Sequence, residues 1–279
     1  MEMVDDSKNK CGGAMSGPRA VFCRPNELSR DSRLSSFLIY LEGVTVVFDG
    51  FKALDIDLFG IHYNELRVVI GPNGAGKTTM CDVISGKTRV TDGKLFWQGN
   101  EISNAHDIAM SRLGVGRKFQ TPSVFDSLTV FENLELALPN RQTDFFRNLW
   151  GKTTSDEEDK IHQMMGRVHL THQADVQASL LSHGQRQCLE IIMLVLAEPD
   201  LLLVDEPAAG LSDEETSLMA ELLLELRGQH SIIVIEHDMD FVRRLDAGVT
   251  VLNEGQIMAE GYMKEIQANP EVIEAYLGR

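Results

Sequence analysis

One glycine-rich run constrains the fold of this chain more than any other feature. Residues 71–79 read GPNGAGKTT and follow the apolar run LRVVI at residues 66–70. Glycine allows backbone angles that a side chain would forbid, so the run predicts a loop whose successive N–H groups point at one anion. A buried strand leads into this loop and a helix over residues 79–85 leaves it, which adds the positive end of a helix dipole. The run therefore predicts a loop that binds the phosphates of a nucleotide, and we call it the phosphate loop.

Two side chains of the phosphate loop have separate predicted tasks. Lys77 supplies a mobile positive charge for the phosphates. Thr78 places a hydroxyl where a Mg2+ ion that bridges the terminal phosphates needs an oxygen ligand. The alternative, a glycine-rich turn that fits the pattern by chance, does not explain why a strand precedes the loop and a helix follows it.

A pair of acidic residues follows a second apolar run. Residues 201–204 read LLLV and are followed by Asp205, Glu206 and Pro207. Buried strands that end in acids are typical of the open edge of a parallel sheet, where nucleotides bind. We expect Asp205 to hold Mg2+ through water and Glu206 to act as the general base on the water that attacks the terminal phosphate. A solvated turn after a core strand is the alternative for these acids.

A second anion site is predicted near the middle of the chain. Residues 181–185 read LSHGQ and precede an apolar helix over residues 187–196. We call residues 181–185 the signature turn. Ser182 is a good N-cap for that helix, so its hydroxyl and the free N–H groups of the first turn are available to an anion.

From about Phe37 onward the chain resembles the ATP-binding subunits of ABC transporters. Five landmarks of that family occur in order: the phosphate loop, Gln120 after the run GRKF, the signature turn, the acids Asp205 and Glu206, and His237 after residues 231–236. The resemblance implies that the signature turn binds the ATP of a partner subunit. It also implies that Gln120 senses Mg2+ and the attacking water, and that His237 contacts the terminal phosphate and holds Glu206 in place.

The resemblance extends to the adenine base and has two departures. Phe48 matches the aromatic residue that stacks on adenine, although a core-facing strand residue is nearly as good an interpretation. His183 stands where the family usually has glycine, and its imidazole could either add charge near a triphosphate or point away from it. Ser212 stands where an aspartate usually reaches across the dimer, and the following Asp213 is a possible substitute.

The predicted site residues fall into three groups. The catalytic residues are Glu206, His237 and Gln120. The metal ligands are Thr78, Gln120 and Asp205. The nucleotide-binding residues are Phe48, Gly71, Pro72, Asn73, Gly74, Ala75, Gly76, Lys77, Thr78, Thr79, Ser182, Gly184 and Gln185.

The resemblance implies an α/β fold with a P-loop NTPase core of the ABC ATPase type. Its mixed, mostly parallel sheet would be flanked by helices, with a small antiparallel β subdomain and an inserted helical subdomain. We expect a disordered extension at residues 1–36, because that segment has no apolar periodicity. Residues 37–279 would form the ATP-binding domain, with the catalytic core and β subdomain at 37–120 and 181–279 and the helical subdomain at 121–180.

Composition limits the possible partners. The formal net charge of −16 argues against nucleic acid, which is bound by a surplus of Lys and Arg. The sequence has no apolar stretch near the roughly 20 residues that span a bilayer, and no secretory signal is recognised at its N-terminus. We therefore expect a peripheral protein on the cytoplasmic face of the inner membrane. The expected partners are a second ATP-binding subunit, identical or different, two membrane permeases and, indirectly, a solute-binding protein.

The cargo prediction rests on resemblance alone. Residues 269–278 resemble the tail of the branched-chain amino acid and amide group of importers. Residues 116–125 and the signature turn look most like the urea-importer ATP-binding subunit, so urea is the first cargo prediction, and branched-chain amino acids or short amides are the alternative. A soluble ABC-type ATPase of iron–sulfur cluster assembly and a regulatory module that binds ATP without hydrolysing it are the interpretations from other classes.

Overall fold

A computed structural model of the chain describes residue 25 and residues 29–103, 105–118, 124–139 and 153–277. The strands are β1 (Phe37–Phe48), β2 (Phe51–His62), β3 (Leu66–Ile70), β4 (Asp92–Trp97), β5 (Asn100–Glu101), β6 (Val115–Lys118), β7 (Leu201–Asp205), β8 (Ser231–Ile235), β9 (Gly248–Asn253) and β10 (Gln256–Tyr262). The α-helices in these residues are α1 (Arg30–Ser36), α2 (Lys77–Ile84), α3 (Asp107–Arg112), α4 (Val130–Ala137), α5 (Ser155–Arg167), α6 (His183–Leu196), α7 (Asp213–Leu226), α8 (Met239–Leu245), α9 (Met263–Ala268) and α10 (Pro270–Leu277).

The strands form two sheets. The larger sheet has the order β10-β9-β3-β8-β7-β6, and all of its neighbouring strands are parallel except β10 and β9. The smaller sheet, β2-β1-β4-β5, is antiparallel throughout. This architecture confirms the predicted mixed, mostly parallel sheet with a separate antiparallel sheet.

Three inner strands of the larger sheet, β3, β7 and β8, are covered on both faces. All five residues of β3, of β7 and of β8 are buried. Successive side chains of a strand point to opposite faces: Val68 packs with α6 and α7, whereas Val69 packs with α2 and the antiparallel sheet. Parallel strands place their carboxyl ends at one edge, so the segments after β3, β7 and β8 meet there.

The structure corrects the predicted N-terminal boundary. Arg30–Ser36 is a helix, so the prediction of a disordered extension through Ser36 is wrong for these residues. Ser29 caps the helix by accepting a hydrogen bond from the Ser32 N–H, and Arg33 donates to the Tyr40 hydroxyl on β1 at 2.9 Å. The helix is short and has no buried residue, which explains why apolar periodicity did not reveal it.

Between β6 and α6, the described residues include the helices α4 and α5 and short 3-10 segments, joined by turns. Thr129 and Thr154 begin α4 and α5 with capping boxes, in which a threonine and a glutamate satisfy each other's backbone N–H groups. Leu134 and Ile161 on these helices are buried in the same core as α6. This segment contains the predicted helical subdomain at 121–180, whose bounds stay a prediction. None of the described helices combines the length and the apolar character that a membrane-spanning segment needs.

Candidate active site

The phosphate loop joins β3 to α2, as the sequence predicts. The Lys77 Nζ donates hydrogen bonds to the backbone carbonyls of Gly71 at 2.8 Å and Pro72 at 3.0 Å. Burial lowers the pKa of Lys77, and the nearby carboxylates of Glu206 and Asp205 partly oppose this effect. The lysine charge therefore lies against its own loop, within the electrostatic reach of the two acids that follow β7.

The glycines of the loop are needed for two different reasons. Gly74 and Gly76 have φ angles of +81° and +98°, which confirms the predicted need for backbone freedom at these two positions. Gly71 is not among the residues with positive φ. A Cβ atom on Gly71 would lie 2.3 Å from the Leu252 carbonyl oxygen, so this glycine is required for space and the prediction of an unusual backbone angle is wrong there.

The other predicted residues of the loop differ in accessibility. Ala75 is buried, and its backbone N–H donates to the Pro72 carbonyl at 3.1 Å. Asn73 and Thr78 are exposed, whereas Thr79 is partly buried. The Thr78 hydroxyl is thus at the open end of α2, where a ligand can reach it.

Asp205 is the last residue of β7 and is almost completely buried, with 6% of its surface exposed. Its Oδ2 atom has no hydrogen-bond partner among the described residues. Burial raises the pKa of Asp205, against the opposing effect of Arg117. A buried carboxylate oxygen without a partner is costly, so it is a favourable position for an oxygen-seeking cation.

Glu206 and His237 are brought together from the ends of two neighbouring strands. The His237 Nδ1 lies 3.3 Å from the Glu206 Oε1. Glu206 has a φ of +47°, a left-handed conformation that is uncommon for a residue with a side chain. Its N–H donates to the Ile235 carbonyl at 3.0 Å, which fixes the strained residue against β8. The side chain is 38% exposed, so solvent can reach the carboxylate.

Sequence reasoning missed Glu236, which organises the two loops around this pair. Glu236 is 1% exposed, and its Oε1 accepts a hydrogen bond from the Ala208 N–H at 2.9 Å. Its Oε2 accepts from the N–H groups of His237 at 2.9 Å and Asp238 at 3.3 Å. One buried carboxylate therefore joins the loop after β7 to the loop after β8. The available signal was an acid directly after the apolar run at residues 232–235.

The signature turn begins α6. Ser182 is the N-cap, as predicted: its Oγ accepts from the Gln185 N–H at 3.2 Å, and the Gln185 side chain accepts from the Ser182 N–H at 3.0 Å. The Ser182 hydroxyl also donates to the Glu215 Oε1 at 3.0 Å. Glu215 belongs to the first turn of α7 and was not among the predicted site residues. Its contact with Ser182 spans 33 positions, which local patterns do not reveal.

His183 and Ser212 have defined structural roles in this chain. The His183 Nε2 lies 3.2 Å from the Ala209 carbonyl oxygen. The same nitrogen lies 3.1 Å from the Gln187 Nε2, so the imidazole sits between the loop after β7 and its own helix. Ser212 is the N-cap of α7, where it forms a capping box with Glu215. The following Asp213 is exposed. The two departures from the family pattern thus both lie where the signature turn meets the start of α7.

Phe48 lies at the tip of the β1–β2 hairpin, opposite Phe51. The tip residues Asp49 and Gly50 both have positive φ, as in the two-residue turns that join antiparallel strands. Phe48 is 49% exposed and Phe51 is 69% exposed. The core-facing alternative for Phe48 is therefore wrong, and stacking on a base stays a prediction.

Gln120 lies outside the described residues. The strand before it, β6, is joined to two helices by ion pairs. Arg117 on β6 forms an ion pair with Asp82 on α2. Lys118 is buried, and its Nζ lies 3.7 Å from the Glu190 Oε2 on α6. The strand that leads to Gln120 therefore contacts both the helix of the phosphate loop and the helix of the signature turn.

Comparison with known proteins gives concordant results. Residues 54–209 match the family model described as ABC transporter. Residues 256–279 match the model described as branched-chain amino acid ATP-binding cassette transporter. The chain is similar to the high-affinity branched-chain amino acid transport ATP-binding protein LivG of Escherichia coli, with 34% identity over 88% of this chain and 99% of that protein. It is similar to the corresponding protein BraF of Pseudomonas aeruginosa, with 34% identity over 88% of this chain and 99% of that protein.

Solved structures agree with the architecture. The chain is similar to a nucleotide-free ATP-binding cassette from an ABC transporter, with a TM-score of 0.75, 29% identity and coverage of 87% of this chain and 100% of that one. It is equally similar to an ATP-binding cassette in its ADP conformation, with a TM-score of 0.75, 28% identity and coverage of 87% of this chain and 99% of that one.

Proposed function

We propose that this chain, which belongs to the ABC transporter family of ATP-binding proteins and is an ATPase coupled to transport, powers an importer of branched-chain amino acids or related small amides. The observation that supports the catalytic part is the meeting of Lys77, Asp205, Glu206 and His237 at the carboxyl edge of one parallel sheet. The match of residues 256–279 to the branched-chain amino acid cassette model supports the cargo class.

ATP binding would use the donors of the phosphate loop. The Lys77 ammonium now donates to two neutral carbonyls of its own loop, and a triphosphate offers stronger, charged acceptors for the same hydrogens. The backbone N–H groups at the start of α2 would bind the same anion. Phe48 would stack on the adenine ring.

The residues at the edge of the sheet fit a Mg2+ ion. Asp205 offers a buried oxygen that no described residue contacts by a hydrogen bond, and the exposed residue Thr78 offers a hydroxyl at the start of α2. These two residues, with Gln120, would hold the ion. When bound, Mg2+ neutralises charge on the terminal phosphates of ATP.

Hydrolysis would proceed by attack of a water molecule on the terminal phosphorus. The Glu206 carboxylate would accept a proton from that water, the new bond to oxygen would form, and the bond to the leaving ADP oxygen would break. His237, 3.3 Å from Glu206, would hold the carboxylate in place and contact the terminal phosphate. The buried Glu236 would keep the loops of both residues in register.

Coupling to transport would come from a dimer of ATP-binding subunits. Ser182, Gly184 and Gln185 would bind the terminal phosphate held by the phosphate loop of a second subunit, identical or different. Two bridging triphosphates would close the dimer, and hydrolysis would release it. The helical segment at 121–180 would contact two permeases on the cytoplasmic face of the inner membrane, while a solute-binding protein would deliver the solute to the permeases.

The first cargo prediction from the sequence, urea, receives less support than its alternative. The relatives are named for branched-chain amino acid transport. The names favour branched-chain amino acids, and urea is kept as the competing arm of the test.

Uptake by the reconstituted transporter tests the proposal. The tagged chain is isolated in mild detergent with its natural partners, placed in vesicles with ATP, and supplied with labelled leucine, valine, urea or a short amide. We expect ATP-dependent uptake of leucine and valine and no uptake with Lys77→Ala. Urea uptake alone would reject the amino-acid cargo. Isolation with soluble scaffold proteins and without permeases would favour the iron–sulfur assembly alternative.

A further inference from the structure

The carboxylate of Glu215 is held between two helix starts. Its Oε1 accepts a hydrogen bond from the Ser182 hydroxyl at 3.0 Å, at the beginning of α6. Its Oε2 accepts from the Ser212 N–H at 3.0 Å and from the Ser212 hydroxyl at 3.1 Å, at the beginning of α7. Glu215 therefore uses one oxygen for its own helix cap and the other for the signature turn.

The Glu215 side chain also fills the space in front of Gly184. A Cβ atom on Gly184 would lie 2.3 Å from the Glu215 Cδ and 2.4 Å from its Oε1. Hydrogen bonds from the Ser212 N–H, the Ser182 and Ser212 hydroxyls and the Gly184 backbone lower the pKa of Glu215, so the side chain is an anion at neutral pH. The donors of the signature turn thus already hold a negative group in the isolated protomer.

We propose that Glu215 is an internal anion that occupies the signature turn of the separated protomer and must leave before the phosphate of a partner's ATP can bind there. The inference rests on the proposed function, in which Ser182 and Gly184 bind that phosphate. A phosphate oxygen and the Glu215 Oε1 require the same hydroxyl of Ser182. The phosphate and the Glu215 carboxylate are both negative and would repel each other if they shared this hydroxyl. The two groups therefore cannot occupy the signature turn together.

The arrangement allows the carboxylate to leave without unfolding α7. The Glu215 Oε2 keeps its two bonds to Ser212 in the capping box, while the contacts of Glu215 with the Ser182 hydroxyl and the Gly184 backbone break. Glu215 is partly buried, so a rotation of its side chain can bring Oε1 to water. Closure therefore needs a ligand that outcompetes a carboxylate. The terminal phosphate of ATP meets this requirement, and ADP has no group at that position.

The test is the ATP requirement for closure in the intact, purified transporter. A dye on each ATP-binding subunit reports closure by energy transfer while ATP is titrated, with Glu206→Gln present to suppress hydrolysis. Glu215→Gln is the informative change, because glutamine preserves the capping box and removes the charge. Glu214→Gln is the matched control, because Glu214 is an exposed residue of the same helix turn. Ser182→Ala tests whether the signature turn takes part in closure at all.

We expect Glu215→Gln to lower the ATP concentration for half-maximal closure about tenfold, since a like charge no longer opposes the phosphate. Glu214→Gln leaves it unchanged, and Ser182→Ala raises it. Glu215→Gln must also leave ATP binding by the separated chain unchanged, because the phosphate loop is intact.

The two possible failures are distinguishable. An unchanged or higher ATP requirement in Glu215→Gln, with Ser182→Ala still impaired, overturns the internal-anion role and leaves the proposed function standing. An unimpaired Ser182→Ala overturns the signature role and the inference with it. If Glu215→Gln lowers the thermal unfolding temperature, Glu215→Ala is titrated in the same way, and an ATP requirement at or above that of the parent chain again overturns the inference.

Discussion

The phosphate loop and the signature turn both present hydrogen-bond donors at a helix start, but different groups accept those hydrogens. In the phosphate loop, Lys77 donates to neutral carbonyls of residues five and six positions earlier. In the signature turn, Ser182 donates to a charged carboxylate 33 positions later. A triphosphate easily replaces a neutral acceptor, whereas it must displace a competing anion. On the proposed function, the first site therefore binds ATP by itself, and the second becomes available only with the partner's nucleotide.

The two sites also differ in the stiffness of their surroundings. Gly71 faces a backbone carbonyl oxygen of Leu252 in β9, which is fixed by the sheet. Gly184 faces the end of the Glu215 side chain, which can rotate. A fixed backbone carbonyl beside the phosphate loop suits a site that holds ATP in one pose. A side chain that can rotate suits a site that opens and closes. Two helix starts with similar hydrogen-bond donors can therefore differ in whether an anion binds to them directly or only after another group has moved away.

The largest expected effect concerns the chemistry of the phosphate-loop site. Glu206→Gln should slow ATP hydrolysis about 10²- to 10⁴-fold while ATP binding is retained, because the general base is lost and the shape is kept. Phosphate release by the purified transporter measures the rate. Glu198→Gln is the control, since Glu198 also has a positive φ but lies outside this site. Rapid hydrolysis by Glu206→Gln would assign the base to another group.

The second largest expected effect is a difference in unfolding free energy between alanine substitutions at the two sites. Gly71→Ala should lower the free energy of unfolding by about 1–3 kcal/mol, because the new methyl group meets backbone that cannot move. Gly184→Ala should lower it by less than about 1 kcal/mol, because the Glu215 side chain can turn away. Denaturant unfolding of both variants measures the difference. Equal losses would mean that the signature turn is as rigid as the phosphate loop.

The third effect concerns the adenine end of the phosphate-loop site. Phe48→Ala should weaken ATP binding by about 1–3 kcal/mol, which is the usual contribution of an aromatic ring stacked on a base. Phe51→Ala should leave the affinity unchanged, although Phe51 is the more exposed of the two rings. Titration of the separated chain with a fluorescent ATP analogue measures both. A loss confined to Phe51→Ala would move the base to the neighbouring ring.

The smallest expected effect is the change in unfolding free energy when the carboxylate of Asp205 or of Glu215 is replaced by an amide. Burial raises the pKa of Asp205, and its Oδ2 has no hydrogen-bond partner in the described part of the chain, so ionisation of this carboxyl costs folding free energy at neutral pH. Asp205→Asn should increase the free energy of unfolding of the nucleotide-free chain by about 1 kcal/mol at neutral pH. The gain should shrink as the pH falls and Asp205 in the parent chain takes up its proton.

The matched change at the signature turn is Glu215→Gln, which should give no gain because the Glu215 carboxylate is fully hydrogen-bonded. Unfolding of both variants by denaturant, from neutral pH down to the ordinary carboxyl pKa of about 4, checks the two expectations. A pH-independent gain in Asp205→Asn would show that the buried charge is not its cause.

Local patterns predicted individual elements, and the family resemblance predicted the fold that they form. The strand over residues 66–70 was predicted with the observed bounds, and Ser182 was predicted as the cap of α6. These features depend on apolar runs and on side chains within a few residues of the helix start. The helix at Arg30–Ser36 was missed because it buries no apolar face.

The sequence by itself determined the parts whose interacting atoms are close in the chain: the phosphate loop, the strand β3 that leads into it and the helix cap at Ser182. The tertiary structure decided what meets those parts. It placed Glu215 on the signature turn, Glu236 between two loops and the Leu252 carbonyl against Gly71. The physical reason is that backbone preferences act over a few residues, whereas these contacts exist only after distant elements pack on a common core.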